Sequence, residues 1–337
     1  MNNSKKNINE ILINYSLYIV LGVMILAVII TEPSFVSAKN ITNILSQAST
    51  RGILALGVAG LIVLQGTDLS AGRILGLTAI VSASLLQSVT YASRMYADLP
   101  QLPLIVPFLV AVSIGALFGA INGFGVAKLK LHAFIISLGT QLIAYGISCI
   151  YIDRPPLGAQ PVANLDERYT NFVNGSFKIG SFELPYLILY LLIVAVIMWF
   201  IWNKTILGKN MFAIGGNPEA AAVSGVNLFK NIMIIFIISG VLYGTAGFLE
   251  AGRIGSATSN TGINYELDAI SACVVGGVSF SGGIGTIPGV LIGTIILQFI
   301  NYGLNYVGIS PYFQYIIKGL IIILAVSIDV RKYLDKK

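Results

Sequence analysis

Residues 103–127 read PLIVPFLVAVSIGALFGAINGFGVA, twenty-five positions without a charged side chain and with only Ser113 and Asn122 as polar interruptions. Wound as an α-helix at about 1.5 Å per residue, this stretch reaches roughly 37 Å, enough to cross the ~30 Å hydrocarbon core of a bilayer. The rest of the chain places that helix in lipid. Of 337 residues, 56% are hydrophobic and 10% charged, and the mean hydropathy is +0.85. A soluble chain carries about 25% charged residues and covers its surface with them. This one cannot.

On either side of 103–127 similar runs recur, at about 11–31, 51–66, 72–90, 133–152, 184–202, 231–251, 266–280, 284–301 and 312–329. The expected fold is therefore an all-α integral membrane protein: one transmembrane domain over residues 1–337, a bundle of about ten helices with both termini on one side. Lys5 and Lys6 precede the first run, and Val36-Ser37-Ala38 resembles a signal-peptidase site. The run is about 20 residues long, beyond the 7–15 of a signal-peptide core, so it reads as a retained helix.

Lysine and arginine set the orientation. With the N-terminus cytoplasmic, the inner segments hold Lys5, Lys6, Arg73, Lys128, Lys130, Lys204, Lys209, Lys230, Arg331, Lys332, Lys336 and Lys337. The outer ones hold Lys39, Arg51, Arg94, Arg154, Arg168, Lys178 and Arg253. The excess favours cytoplasmic N- and C-termini. The net charge of +6 thus reads as topology rather than nucleic-acid binding. The longest inner connection is 203–230 and the longest outer one 153–183, which includes Pro155 and Pro156.

Two short spans run into glycine-rich polar stretches. One is Gly66-Thr67-Asp68-Leu69-Ser70-Ala71-Gly72-Arg73. The other is Gly276-Gly277-Val278-Ser279-Phe280-Ser281-Gly282-Gly283. In each, a glycine is followed by serine four residues on and by glycine two further on. Such breaks in two halves of a chain mark a transport path or close helix packing through small residues. On the first reading the candidate path residues are Gly66, Thr67, Asp68, Ser70, Gly72, Ser279, Ser281 and Gly282. Asp68 has a second reading as a cap of the following helix. Glu250 and Arg253, three apart, are expected to pair on one helix face. Glu266 and Asp268 open the eighth span from outside.

Enzymatic signatures are missing. No G-x-x-x-x-G-K-[ST] phosphate loop occurs. The sequence Phe280-Ser281-Gly282-Gly283-Ile284 only superficially resembles an ATPase signature. His132 is the single histidine, and Cys149 and Cys273 sit in apolar runs without metal spacing. The reading is of no catalytic residues, no metal and no cofactor.

The clearest water-facing motif lies in segment 203–230, at Gly215-Gly216-Asn217-Pro218-Glu219-Ala220-Ala221-Ala222-Val223-Ser224-Gly225-Val226. Asn217 is a good N-cap and Pro218 fits the first helical position. Glu219 complements the helix N-terminus, the alanines propagate the helix, and Gly225 can end it. A two-turn helix nucleates poorly alone, so it needs a surface: its own bundle, or a partner.

Several stretches carry a family resemblance: Gly57 to Arg73, Gly208 to Val226, Glu250 to Asn260, Tyr265 to Gly283 and Tyr312 to Ile322. In these the chain resembles the permease subunits of bacterial ABC sugar importers of the ribose/galactose type. The outer segment 153–183 departs from the pattern of the galactose-type permeases. The resemblance implies a multi-pass protein of the bacterial cytoplasmic (inner) membrane and a channel made by a homodimer of permease subunits in membrane lipid. It implies a separate ABC ATPase subunit and a soluble sugar-binding protein as partners. It also implies a monosaccharide cargo, galactose or methyl galactoside rather than ribose. Residues Asn217, Pro218, Glu219, Ala220, Ala221, Ala222, Ser224 and Gly225 match the family's ATPase coupling helix. An ion-coupled transporter would need more membrane carboxylates than Asp68, and a membrane enzyme would need a cluster of catalytic groups at one face.

Overall fold

The computed structural model describes residues 19–154, 158–179 and 182–334. Lys5, Lys6, the first part of the 11–31 run, Pro155, Pro156, Lys336 and Lys337 lie outside them. The helices are α1 (Ile19–Thr31), α2 (Ala38–Val63), α3 (Ala71–Leu85), α4 (Ile105–Ala127), α5 (Ala133–Ile152), α6 (Glu167–Asn174), α7 (Tyr186–Lys204), α8 (Ile206–Gly216), α9 (Pro218–Val223), α10 (Leu228–Ile254), α11 (Tyr265–Val275), α12 (Ile287–Tyr306) and α13 (Pro311–Leu334). Two small antiparallel pairs, β1 (Asp153–Arg154) with β2 (Gly158–Ala159) and β3 (Ser176–Ile179) with β4 (Phe182–Pro185), flank α6. A helix stands at each of the ten apolar runs. Among the described residues six helices, α2, α4, α5, α7, α10 and α12, are each long and apolar enough to cross a membrane.

The bundle is layered. Of the most apolar stretch of each helix, 83% is buried in α2 and 61% in α10, against 33% in α4 and 28% in both α5 and α7. In α3 every residue is buried except Arg73 and Leu85. Helices α2, α3 and α10 therefore form the centre, while α4, α5 and α7 turn apolar side chains such as Leu142, Ile150 and Val196 to the bilayer. Lipid gives no hydrophobic drive for one apolar helix to leave it for another, so close backbone approach does the joining. Helices α4 and α10 meet in this way at Gly115 and Gly240. A Cβ built on Gly115 would stand 2.0 Å from the Gly240 carbonyl oxygen, and one on Gly240 2.1 Å from that of Gly115.

Helix α2 corrects the sequence reading. It starts at Ala38, not near residue 51, with Ser37 as N-cap accepting from the Asn40 amide. The expected outer residues Lys39 and Arg51 lie within it. The polar stretch that hid the helix faces other helices. Tyr302 donates to Asn40 Oδ1 (3.0 Å), Gln298 to Gln47 (2.8 Å) and Thr50 to Glu250 (2.7 Å). Arg73 likewise lies within α3 and Arg253 within α10, so these cations belong to helices rather than to connections. The eighth span is also shorter than expected: α11 ends at Val275, and the third helix ends at Leu85. The long outer segment is ordered by α6, whose buried Tyr169 donates to the Phe248 carbonyl and whose Asn174 donates to Gly252 O (2.8 Å).

Candidate functional site

The connection between α7 and α10 is built from local caps. Thr205 caps α8, accepting from the Gly208 amide (3.2 Å). Asn217 ends α8 and begins α9, its Oδ1 accepting from the Ala220 amide (2.9 Å). Pro218 occupies the first turn, where no amide partner is needed. At the far end Gly225 has φ +86°, and the amides of Gly225 and Val226 donate to Ala222 O and Ala221 O (both 3.0 Å). Asn227 then caps α10 (2.9 Å to the Lys230 amide). Helix α8 is tied to α10 by Asn210 donating to Asn231 (3.1 Å). Within α9 only Ala221 is buried. Asn217, Pro218, Glu219, Ala220, Ala222, Ser224 and Gly225 are exposed, and Val223 is 91% exposed. Helix α9 rests on its own bundle through Ala221 and leaves the rest of its surface exposed.

The two glycine stretches end helices by the same device, one position out of the register the sequence suggests. At the end of α2 the Gln65 amide donates to Ile62 O and the Gly66 amide to Leu61 O (both 2.8 Å). At the end of α11 the Gly277 amide donates to Val274 O and the Val278 amide to Cys273 O (both 2.9 Å). Both are Schellman caps, with left-handed residues Gln65 (φ +62°) and Gly277 (φ +81°). The counterpart of Gly277 is therefore Gln65, not Gly66. The Gln65 amide group donates to Gly215 O (2.8 Å) and Ser281 O (3.0 Å), and the Gly283 amide to Val63 O (2.9 Å). The end of α2, the second break and the end of α8 thus meet at one point.

The remaining candidates of the first break sit in a closed network. Asp68 (2% exposed) accepts from the Ser70 amide (2.8 Å), the Ser70 hydroxyl and Tyr243 (3.1 Å). Asn122 donates to Ser70 Oγ (3.0 Å) and accepts from Thr140 (2.8 Å). Ser137 donates to Thr67 O (3.3 Å) and accepts from the Leu69 amide (3.1 Å). Asp68 is locally paired rather than capping α3, whose N-cap is Ser70. Gly66 packs by Ala133, while Gly72 faces the Gly262 carbonyl and the Glu266 carboxylate. In the second break Ser279 is buried, Ser281 half-buried and Gly282 buried against Gly215 O. Of the eight, Ser281 and Gly282 join the point where α2 and α8 meet.

A charged cluster that the sequence did not assemble lies between α2, α10, α11 and α13. Arg51 pairs with Asp268 and lies 3.7 Å above the Tyr265 ring. Lys318 reaches the other Asp268 oxygen (2.7 Å). Glu250 accepts from Arg253 (2.7 and 2.8 Å), Tyr265 (2.8 Å) and Thr50. The spacing of Glu250 and Arg253 was legible. Lys318, alone in an apolar run, was the signal for the rest: a cation at that depth requires an anion.

The family model described as "Branched-chain amino acid transport system / permease component" matches residues 40–326. The galactose/methyl galactoside import permease protein MglC of Escherichia coli (strain K12) is 52% identical, over 99% of this chain and 99% of that protein. MglC of Salmonella typhimurium is 53% identical over 95% of each. The ribose import permease protein RbsC of Escherichia coli (strain K12) is 37% identical over 93% of this chain and 92% of that protein. No solved structure matches. An all-α bundle with membrane-length helices, matched to permeases nearly from end to end, is a multi-pass transport subunit rather than an enzyme, and the chain belongs to the permease-component family of that description.

Proposed function

We propose that this chain is the permease subunit of an ATP-driven importer for a neutral monosaccharide, galactose or methyl galactoside, in the bacterial cytoplasmic membrane. Two copies form the channel, a soluble binding protein delivers sugar from outside, and separate ATPase chains dock at α9. The observation that carries the reading is α9 itself: a helix capped at both ends, too short to be stable alone, anchored to its own chain by Ala221 and exposed elsewhere, with Val223 91% exposed. A projecting helix of that kind fits a groove in a partner. The identity to proteins named for galactose exceeds that to proteins named for ribose, 52% against 37%, and favours the former sugar. Asp68 is hydrogen-bonded by Ser70 and Tyr243, and Asp268 is paired with Arg51 and Lys318, in keeping with an uncharged cargo.

The test is uptake by vesicles holding this chain, its ATPase and the binding protein, with ATP inside. Galactose should enter without an ion gradient and should outcompete ribose and xylose. Uptake that follows an ion gradient in the absence of ATP refutes the reading. Preferential ribose uptake overturns the sugar and leaves the importer intact.

A further inference from the structure

We infer that Gln65 is a positioning residue that transmits movement of the α8–α9 segment to both helix breaks. The inference rests on the proposed docking of an ATPase at α9.

Three observations meet at this residue. The first is backbone strain. Gln65 holds φ +62°, a conformation that a side chain with a Cβ adopts at a cost and that glycine adopts freely. At the matching position of the second break the residue is Gly277. A non-glycine residue in a left-handed cap points to a use for its side chain.

The second is what that side chain does. Its one NH₂ group donates to Gly215 O, 150 residues away in sequence, and to Ser281 O, 216 residues away. Gly215 is two residues before Asn217, the cap of α9. Ser281 belongs to the loop that links α11 to α12. A single amide thus bridges the coupling segment and the second break from the end of α2.

The third is the absence of slack around it. A Cβ on Gly215 would lie 1.8 Å from Val63 O, and one on Gly282 would lie 2.3 Å from Gly215 O and 2.4 Å from Gln65 Cγ. Backbones in such contact cannot slide past one another singly. A push on α9 moves Gly215, and the amide and the packed glycines carry that displacement into α2 and into the Ser279–Gly283 loop together. Loss of the amide leaves α2 tied to the second break by the Gly283 amide on Val63 O, with Gly215 in contact but without its hydrogen bond from Gln65.

The experiment compares Gln65→Gly, Gln65→Met and Gln65→Lys in the assembled importer. Gln65→Gly relieves the strain and removes the bridge. Gln65→Met keeps length and strain without the bridge. Gln65→Lys keeps a donor at a position already exposed. The expected result is that Gln65→Gly assembles with the ATPase and retains its basal hydrolysis, while sugar moved per ATP falls about 5-fold or more, the lower end of an ordinary coupling between sites. Gln65→Met should fall likewise and Gln65→Lys should recover part of the loss. In the chain alone, hydrogen exchange at the Gly283 amide should quicken in Gln65→Gly and Gln65→Met. Wild-type stoichiometry in Gln65→Gly overturns the inference while the importer assignment stands. Equal loss of ATPase binding and of stability in all three variants also overturns it, since that is a purely structural role. If the wild-type chain shows no ATP-driven uptake, both readings fall.

Discussion

Replacing one glycine at two places should give stability changes of opposite sign. Both Gly115 in α4 and Gly139 in α5 are helical, and helix propensity alone makes each Gly→Ala change favourable by roughly 0.5–1 kcal/mol. Around Gly139 a new Cβ meets nothing within 4 Å, so that gain should survive. At Gly115 the Cβ would lie 2.0 Å from Gly240 O, 3.0 Å from Gly240 C and 3.0 Å from the Gly244 amide nitrogen. These are backbone atoms and cannot rotate away. The seam must open by about 1 Å merely to reach 3.0 Å, below which real Cβ contacts essentially never occur. A gap of about 0.5–1 Å forfeits roughly a quarter to a half of the dispersion attraction between facing atoms. Neighbouring close contacts, Gly119 against Phe236 O and Gly244 against Ala111 O, would loosen with it. Overpacking of this kind costs about 1–3 kcal/mol, which exceeds the propensity gain. Thermal or denaturant unfolding of the purified chain in detergent measures both. Gly115→Ala should unfold earlier than the wild type and Gly139→Ala no earlier. A Gly115→Ala protein as stable as Gly139→Ala would refute the account of how α4 and α10 are joined.

On α9, Ala222 is the clean probe because it is exposed whereas Ala221 is buried in the chain's own packing. Ala222→Trp should abolish co-purification of the ATPase with the bundle intact, and Glu219→Lys, a cation at a helix N-terminus, should weaken it with a penalty of about 0.3–1 kcal/mol. Asp268→Asn should destabilise the chain by about 3–5 kcal/mol, because it leaves Arg51 and Lys318 without their anion. Asp268→Asn combined with Lys318→Met should recover part of that loss in the same unfolding assay. Outside the spans, hydrogen bonding from Arg168 holds the Asp166 carboxyl at about 2, below the ordinary carboxylate range. Its stabilisation of the outer segment is therefore complete above about pH 4 and lost as the pH falls towards 2. Asp166→Asn should flatten that part of the pH–stability profile.

Sequence alone determined what depends on neighbours along the chain. The apolar runs required spans because lipid tolerates no unpaired backbone and little charge. The helix at Pro218–Val223 was legible residue by residue, since capping, an N1 proline and a terminal glycine act within one or two turns. So was the ion pair of Glu250 with Arg253, three positions apart. What only the tertiary structure decided involves partners distant in sequence. The first half of α2 looked like a polar connection because its matching groups, Tyr302, Gln298, Glu250 and Asp268, lie some 200 residues or more downstream. Gly66 drew notice as the break, yet the left-handed residue is Gln65. A non-glycine cap there depends on carbonyls of Gly215 and Ser281 that no local pattern could bring to it.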